Sequence, residues 1–170
     1  MFDDPDSPIV GNPKGDVTIV EFFDYACGYC KSTFRHLDAL LQEDDNIRLV
    51  MKEFPILGQG SQLAARASLA AWEQGSDLYW LFHRALMDHS GSFTQETLDQ
   101  IGHSVGLDIN RLHHDMASAR IQTMIDNNYA LARDLSINGT PAFFIGDVFI
   151  PGALDDRSLK ELIQQIRQEE

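Results

Sequence analysis

The chain has 170 residues, of which 44% are hydrophobic and 23% are charged. A chain of this length and composition folds as a globular domain without disulfide or metal cross-links. Its 26 acidic residues outnumber its 13 lysines and arginines and give a formal net charge of -13, which repels phosphate backbones and anionic lipids. We therefore expect no nucleic-acid partner. No apolar run reaches the roughly 18 residues of a membrane helix, so we also expect no membrane insertion.

The first predicted segment, residues 1–15, holds three prolines and two glycines and is expected to be an irregular lead-in. It has neither the basic stretch nor the apolar stretch of a signal peptide, so we expect that such a peptide has been removed. The next run, VTIVEFF at residues 17–23, is typical of a strand covered on both faces. A helical pattern follows CGYC at residues 27–30, and a second apolar run at residues 47–54 stops at Pro55. This order predicts a βαβ unit.

Residues 61–136 show helical periodicity throughout and contain no predicted strand, so we interpret them as an all-helical insertion. Gly75 is predicted to end one helix and Asp77 to cap the next. Thr94 and Asp108 are the predicted N-caps of two further helices, because each short polar side chain stands just before a helical run.

The C-terminal part contains two short apolar runs around Gly146-Asp147, which predict a β-hairpin, and then an amphipathic helix over residues 158–168. Together with the βαβ unit, these elements predict an α/β fold with one mixed sheet, in the order βαβ … ββα, and helices on both faces. The sheet would belong to one domain made of residues 16–60 and 137–170, interrupted by the helical insertion.

The CxxC motif Cys27-Gly28-Tyr29-Cys30 stands at the junction between the first predicted strand and its helix. The first turn of a helix has unpaired N–H groups and a partial positive charge, which stabilise a thiolate and lower its pKa. One helical turn also brings the two sulfurs within bonding reach. We therefore predict a redox pair, with Cys27 as the exposed nucleophile and Cys30 as the buried resolving thiol.

A CxxC pair can also be half of a zinc site, but a structural zinc ion needs four ligands and no second CxxC is present. The six histidines lack the i, i+4 spacing of a helical metal-binding pair. The alternative from another functional class is a non-catalytic copper-binding or chaperone module, in which the two thiolates hold a soft ion such as copper(I).

Glu21 lies inside the first apolar run, six residues before Cys27. A carboxylate is costly there unless it has a partner or a function. If Glu21 points inward beneath the cysteines, burial raises its pKa and lets it take the proton that leaves Cys30. The alternative is a solvated side chain at a sheet edge.

Thr140-Pro141 directly precedes the first strand of the predicted hairpin, where a proline is otherwise out of place. A cis bond in a tight turn would account for it and would leave the Thr140 backbone free to pair with an extended substrate. Local sequence alone also allows a trans turn proline. The upstream CxxC and the βαβ unit favour the cis form.

The segments VEFFDYACGYC, VMKEFPILG and GTPAFFIG, in this order of elements, resemble the DsbA-like branch of the thioredoxin superfamily, including bacterial secreted ScsC-like proteins. The resemblance covers nearly the whole chain from about Ser7. It implies a thioredoxin-like fold, disulfide exchange with protein thiols and disulfides, and a periplasmic or otherwise extracytoplasmic location. Carried onto this sequence, it implies these residues: the nucleophile Cys27, its partner Cys30, the buried acid Glu21, the cis proline Pro141, and Lys52 paired with Glu21 across the sheet.

Two positions depart from the strongly oxidising members of this branch. Tyr29 stands where those proteins carry histidine, and Thr140 precedes the proline as it does in disulfide isomerases. We expect a thiol–disulfide oxidoreductase, an oxidase of secreted proteins, with an isomerase or reductase as the alternative. Thr140, Pro141, Gly28 and Tyr29 are expected to contact the substrate. We expect no cofactor and no metal ion. We also expect a redox partner, either a membrane oxidase or a membrane reductase, which the sequence does not identify.

Overall fold

A computed structural model describes residues 1–169 of the chain. Within this range the strands are β1 (Ile9–Gly11), β2 (Val17–Phe23), β3 (Ile47–Glu53), β4 (Ala142–Ile145) and β5 (Val148–Pro151). The helices are α1 (Gly28–Glu43), α2 (Gln59–Trp72), α3 (Ser76–Asp88), α4 (Gln95–Val105), α5 (Ile109–Met116), α6 (Ala119–Asp134) and α7 (Asp156–Glu169). None of the helices in residues 1–169 has the length and apolar character needed to cross a membrane.

The strands form a single mixed sheet in the order β1-β3-β2-β4-β5. Strands β2 and β3 are parallel, as in a βαβ unit, and the other neighbouring pairs are antiparallel. The prediction of a mixed α/β fold is therefore confirmed. Helices α2 to α6 lie in sequence between β3 and β4.

Strand β1 corrects the expectation that residues 1–15 are irregular throughout. Ile9–Gly11 pairs with the free edge of β3 in antiparallel register, with Ile9 opposite Val50. Three residues are too few to show the alternation that identifies a strand, and the flanking prolines at positions 8 and 13 point to a loop. The pairing is decided by the β3 edge rather than by the local sequence.

Capping side chains begin the helices largely where the sequence places them. Thr94 accepts a hydrogen bond from the Thr97 N–H at 3.2 Å, and Asp108 accepts one from the Arg111 N–H at 3.0 Å. Asp77 is not a cap but lies in the first turn of α3, where its negative charge is attracted to the positive end of the helix dipole. The N-cap is Gly75, whose φ of 139° is a conformation that side chains disfavour.

Side chains of β2 and β3 alternate between two faces of the sheet. One face, which we call the cysteine face, carries Glu21 and Phe23 from β2 and Met51 and Glu53 from β3. Phe23 and Met51 belong to the apolar core that contains both cysteines and much of the helical segment. The other face, which we call the opposite face, carries Val20, Phe22, Val50 and Lys52. Its core is completed by α6 and by side chains from the first nine residues.

Candidate dithiol active site

Cys27 is the N-cap of α1, and its Sγ accepts a hydrogen bond from the Cys30 N–H at 3.3 Å. Both cysteines are free thiols. The expectation that Cys27 is exposed needs correction, because its side chain is only 6% exposed, against 0% for Cys30. The carbonyl oxygen of Thr140 lies 3.4 Å from the Cys27 Sγ and covers part of it.

The pKa values of the two thiols are shifted in opposite directions. Hydrogen bonding from the Cys30 side chain lowers the pKa of Cys27 most. Together with bonds from the Thr140 side chain and from backbone N–H groups, it outweighs burial and brings that pKa to about 6. Burial raises the pKa of Cys30, and the bond to Cys27 and the charge of Glu21 raise it further. At neutral pH the site therefore holds a thiolate at Cys27 and a protonated thiol at Cys30.

The predicted substrate contacts surround Cys27. The Thr140–Pro141 peptide bond is cis, and Pro141 is buried next to the Thr140 carbonyl that contacts Cys27, although Cys27 and Thr140 are 113 positions apart. Gly28 is exposed, and no heavy atom lies within 4 Å of the point where a side chain would begin. Tyr29 is 72% exposed. The surface beside Cys27 is therefore open at Gly28 and Tyr29.

Glu21 points inward and not toward solvent. Its side chain is fully buried on the cysteine face, and within residues 1–169 neither carboxyl oxygen has a hydrogen-bond partner. Burial raises the pKa of Glu21 to about 8, with a further contribution from the charge of Cys27. The carboxyl group is therefore protonated at neutral pH and can give or take a proton.

The pairing of Lys52 with Glu21 that the resemblance implies is wrong. In the register of β2 and β3, Glu21 lies opposite Met51 and Phe22 lies opposite Lys52, so Lys52 and Glu21 point to different faces. The Lys52 Nζ donates hydrogen bonds to the carboxylate of Asp4 and, at 2.7 Å, to the Ser7 Oγ. Lys52 therefore anchors the N-terminal segment and does not take part in the cysteine site.

A second buried acid, Glu53, lies at the end of β3 and was not predicted from the sequence. The hydroxyl group of Tyr25, two residues before Cys27, donates to the Glu53 Oε1 at 3.2 Å. The same hydroxyl lies 2.6 Å from the Ser68 Oγ on α2 and 2.7 Å from the His83 Nδ1 on α3. The signal that identified Glu21, an acid in an apolar run, is equally present in IRLVMKEF and could have identified Glu53.

This cluster of Tyr25, Glu53, Ser68 and His83, which we call the tyrosine cluster, is buried throughout. Burial raises the pKa of Glu53 well above its usual value, and the nearby charges of Asp24 and Glu21 add to the effect. Burial also lowers the pKa of His83 to about 3, so its ring is neutral. His83 therefore carries no positive charge that could balance the negative charge of an ionised Glu53.

Comparisons with known proteins agree with this geometry. The structure superposes with a TM-score of 0.92 on a thioredoxin-like oxidoreductase from Silicibacter pomeroyi DSS-3, at 43% identity, covering 98% of this chain and 95% of that one. It superposes with a TM-score of 0.87 on a periplasmic thioredoxin-like protein from Salmonella enterica serovar Typhimurium, at 30% identity, covering 97% and 92%.

Similarity extends to part of a larger protein. Over 145 residues the chain is 32% identical to the Na(+)/H(+) antiporter NhaA 1 of Salinispora arenicola, an alignment covering 84% of this chain but only 22% of that relative. The family model for the DSBA-like thioredoxin domain matches residues 18–164, a range that includes both cysteines and Pro141. The chain belongs to the DSBA-like thioredoxin domain family.

Proposed function

We propose that this protein is a thiol–disulfide oxidoreductase that exchanges disulfides with protein substrates through Cys27 and Cys30. The observation that carries the proposal is the difference between the two thiols, which lie one helical turn apart. Cys27 has a pKa of about 6 and reacts as a thiolate, whereas burial keeps Cys30 protonated. A low-pKa thiolate attacks disulfides and also leaves readily from a mixed disulfide.

In the oxidising direction, a substrate thiolate attacks the Cys27 Sγ of the Cys27–Cys30 disulfide. The new bond joins the substrate sulfur to Cys27, and Cys30 leaves with the electron pair of the broken bond. Because the pKa of the Cys30 thiol is raised, the leaving thiolate takes a proton, which protonated Glu21 supplies. In the reverse direction, Glu21 takes the proton as Cys30 attacks and resolves the mixed disulfide.

The surroundings of Cys27 support a peptide as the substrate. The Thr140 backbone beside the sulfur offers an edge to which an extended chain can add as a strand. Next to Ala26 lies an open depression of about 620 Å³, lined in part by Leu57 and Phe93. Its lining also includes Gln59 and Ser92, so it offers both apolar contacts and hydrogen-bonding groups to the side chains of a peptide.

For the direction of exchange we propose an oxidase of secreted proteins that works outside the cytoplasm. Lowering the pKa of Cys27 stabilises the reduced pair and so makes the disulfide more oxidising. The similar Salmonella enterica protein is described as periplasmic. An oxidase of this kind needs a membrane oxidase to reform its disulfide. An isomerase or reductase would instead need a membrane reductase.

Alkylation tests the proposal directly. At pH 6, Cys27 of the reduced protein is expected to react with iodoacetamide at least tenfold faster than Cys30, with a rate that rises around pH 6. Mass spectrometry of the labelled peptides measures both rates. Cys27→Ser should abolish the oxidation of reduced ribonuclease, and Cys30→Ser should trap mixed disulfides with the substrate.

Glu21→Gln tests the proposed proton transfer to Cys30, because it keeps the side-chain volume and removes only the acid. It should slow the step that involves Cys30 by about tenfold and leave the alkylation of Cys27 intact. Equal reactivity of the two cysteines, or bound copper together with absent exchange activity, would contradict the proposed function.

A further inference from the structure

Two buried acids share the cysteine face. Glu21 on β2 lies opposite Met51, and Glu53 on β3 lies opposite Phe23, so the two acids are diagonal neighbours across a parallel strand pair. Both are fully buried, and within residues 1–169 three of their four carboxyl oxygens have no hydrogen-bond partner. A carboxyl group that is buried without hydrogen-bond partners costs free energy of folding. A purely structural role does not explain why the protein keeps two such groups.

The tyrosine cluster fits both protonation states of Glu53. A tyrosine hydroxyl donates one hydrogen bond and accepts two, and the Tyr25 hydroxyl has three neighbours. When Glu53 is ionised, Tyr25 donates to it and accepts from Ser68 and from the Nδ1–H tautomer of His83. When Glu53 is protonated, it donates to Tyr25, which then donates to the unprotonated Nδ1 of His83. Only hydrogen positions differ between the two states. In the second state the His83 proton lies on Nε2, which has no hydrogen-bond partner in residues 1–169.

We propose that Glu53 is a second proton-holding residue of the active site, which acts through Glu21 as one member of a coupled pair of acids. The catalytic role of Glu53 rests on the proposed function, thiol–disulfide exchange through Cys27 and Cys30. When Cys30 leaves as a thiolate, the proton passes from the Glu21 carboxyl to the Cys30 sulfur, and Glu21 becomes ionised. A protonated Glu53 then keeps the buried pair at one negative charge instead of two, which makes the transfer easier. Solvent later returns the proton to Glu21.

None of the groups described below that affect the two acids carries a positive charge that would offset the repulsion between Glu21 and Glu53. The charge of Cys27 raises the pKa of Glu21, and Tyr25, Ser68 and Asp24 affect the pKa of Glu53. On α3, the charge of Glu53 raises the pKa of Tyr79, and His83 reaches the pair only through its contact with Tyr25. Asp24 is satisfied by hydrogen bonds from three backbone N–H groups and from the Ser61 hydroxyl. The two buried cations of β3, Arg48 and Lys52, lie on the opposite face. After burial and the charge of Asp24, the charge of Glu21 also raises the pKa of Glu53.

Carbon-13 NMR of the glutamate side-chain carboxyls tests the coupling in the oxidised protein, in which neither cysteine titrates. The Glu21 signal, identified by its loss in Glu21→Gln, is expected to titrate in two steps because a second ionisation follows the first. In Glu53→Gln it should titrate in one step. Glu96→Gln, a change at an exposed acid, should leave the two steps intact. A single step in the native protein, or two steps that survive in Glu53→Gln, would overturn the proposal.

A second variant covers the case in which Glu53→Gln does not fold. Tyr25→Phe keeps the ring and removes the hydroxyl that supports ionised Glu53, so the upper step should move to higher pH. An upper step that does not move would also overturn the proposal.

Kinetics then relate the pair to exchange. Glu53→Gln should change the pH dependence of the step that involves Cys30 and leave the alkylation of Cys27 at pH 6 unchanged, whereas an unchanged pH dependence counts against the role of Glu53. The titration needs no thiol substrate. Absent exchange activity would therefore contradict the proposed function alone, and a single-step titration in an active protein would contradict this inference alone.

Discussion

The two faces of the central sheet bury charge in contrasting ways. On the opposite face, Lys52 is 1% exposed and its ammonium group donates hydrogen bonds to Asp4 and Ser7, which the N-terminal segment supplies. On the cysteine face, Glu21 has no partner in residues 1–169 and Glu53 uses one of its two oxygens. Burial of a charged residue is therefore not itself a sign of function. The informative feature is a buried ionisable group left without a partner, because that group can change its protonation state.

The largest expected effect is on the cysteine face and concerns Glu21→Gln. The folded pKa of Glu21 is about 8 and its ordinary value is 4.5, so the folded state binds more protons between these pH values. Stability is therefore expected to fall as pH rises from about 4.5 to 8, by roughly 3–5 kcal/mol for this one group. Glu21→Gln should remove that loss. Urea unfolding of the oxidised proteins at pH 5 and pH 8.5 measures the difference.

The native protein and Glu21→Gln should therefore diverge with rising pH, the variant being the more stable at pH 8.5. Parallel stability curves would mean that Glu21 is already ionised in the fold, and the contrast between the two faces would then fail.

A smaller effect of opposite sign is expected on the opposite face. Asp4→Asn leaves the buried Lys52 ammonium without its anionic partner and should destabilise the fold by about 2–3 kcal/mol at pH 7. Burial alone would raise the pKa of Asp4, but hydrogen bonds from Lys52 and the Asp6 N–H bring it below its ordinary value. The contribution of Asp4 is therefore present above about pH 4 and is lost as pH falls through its folded pKa.

Lys52→Met in the Asp4→Asn background is the matched test, because it removes the unpaired charge and keeps an apolar stem. It should recover much of the lost stability, as measured by the urea midpoint. No recovery would show that Asp4 acts by fixing the loop rather than by pairing with Lys52.

The smallest effect is expected for Ser7→Ala, which removes one of the two partners of Lys52. The Ser7 hydroxyl accepts from Lys52 and donates to Asp4 at 2.9 Å, but the direct contact between those two residues remains. A loss of about 1 kcal/mol in the free energy of unfolding is expected. A loss as large as that of Asp4→Asn would make the hydroxyl, and not the carboxylate, the main partner.

The sequence predicts those parts of the fold that depend on local pattern. The strand, CxxC and helix, the caps Thr94 and Asp108, and the hairpin around Gly146-Asp147 all follow from spacing within a few residues. The inward direction of Glu21 follows from its place in an apolar strand. These features need no knowledge of what lies across the sheet.

The features that could not be predicted depend on register and on distant segments. A parallel register one residue away from the expected one sends Lys52 to the opposite face, and periodicity does not fix that register when a strand is buried on both faces. Tyr25 gathers partners from β3, α2 and α3 around one hydroxyl, which no local pattern indicates. The partner of Lys52 lies in a segment whose prolines suggested only a loop.

The position of β4 in the sheet has a consequence for biosynthesis. Strand β2 finds one neighbour, β3, soon after it, but its other neighbour begins at Ala142. Ribosomes make about 5–20 residues per second, so a nascent chain exposes an unsaturated β2 edge for several seconds before β4 is made. Such an edge invites pairing with other polypeptides. During that interval Cys27 also lacks Thr140, which is 113 positions away. The Cys27 thiol and an open strand edge thus emerge together, well before the segment that covers both.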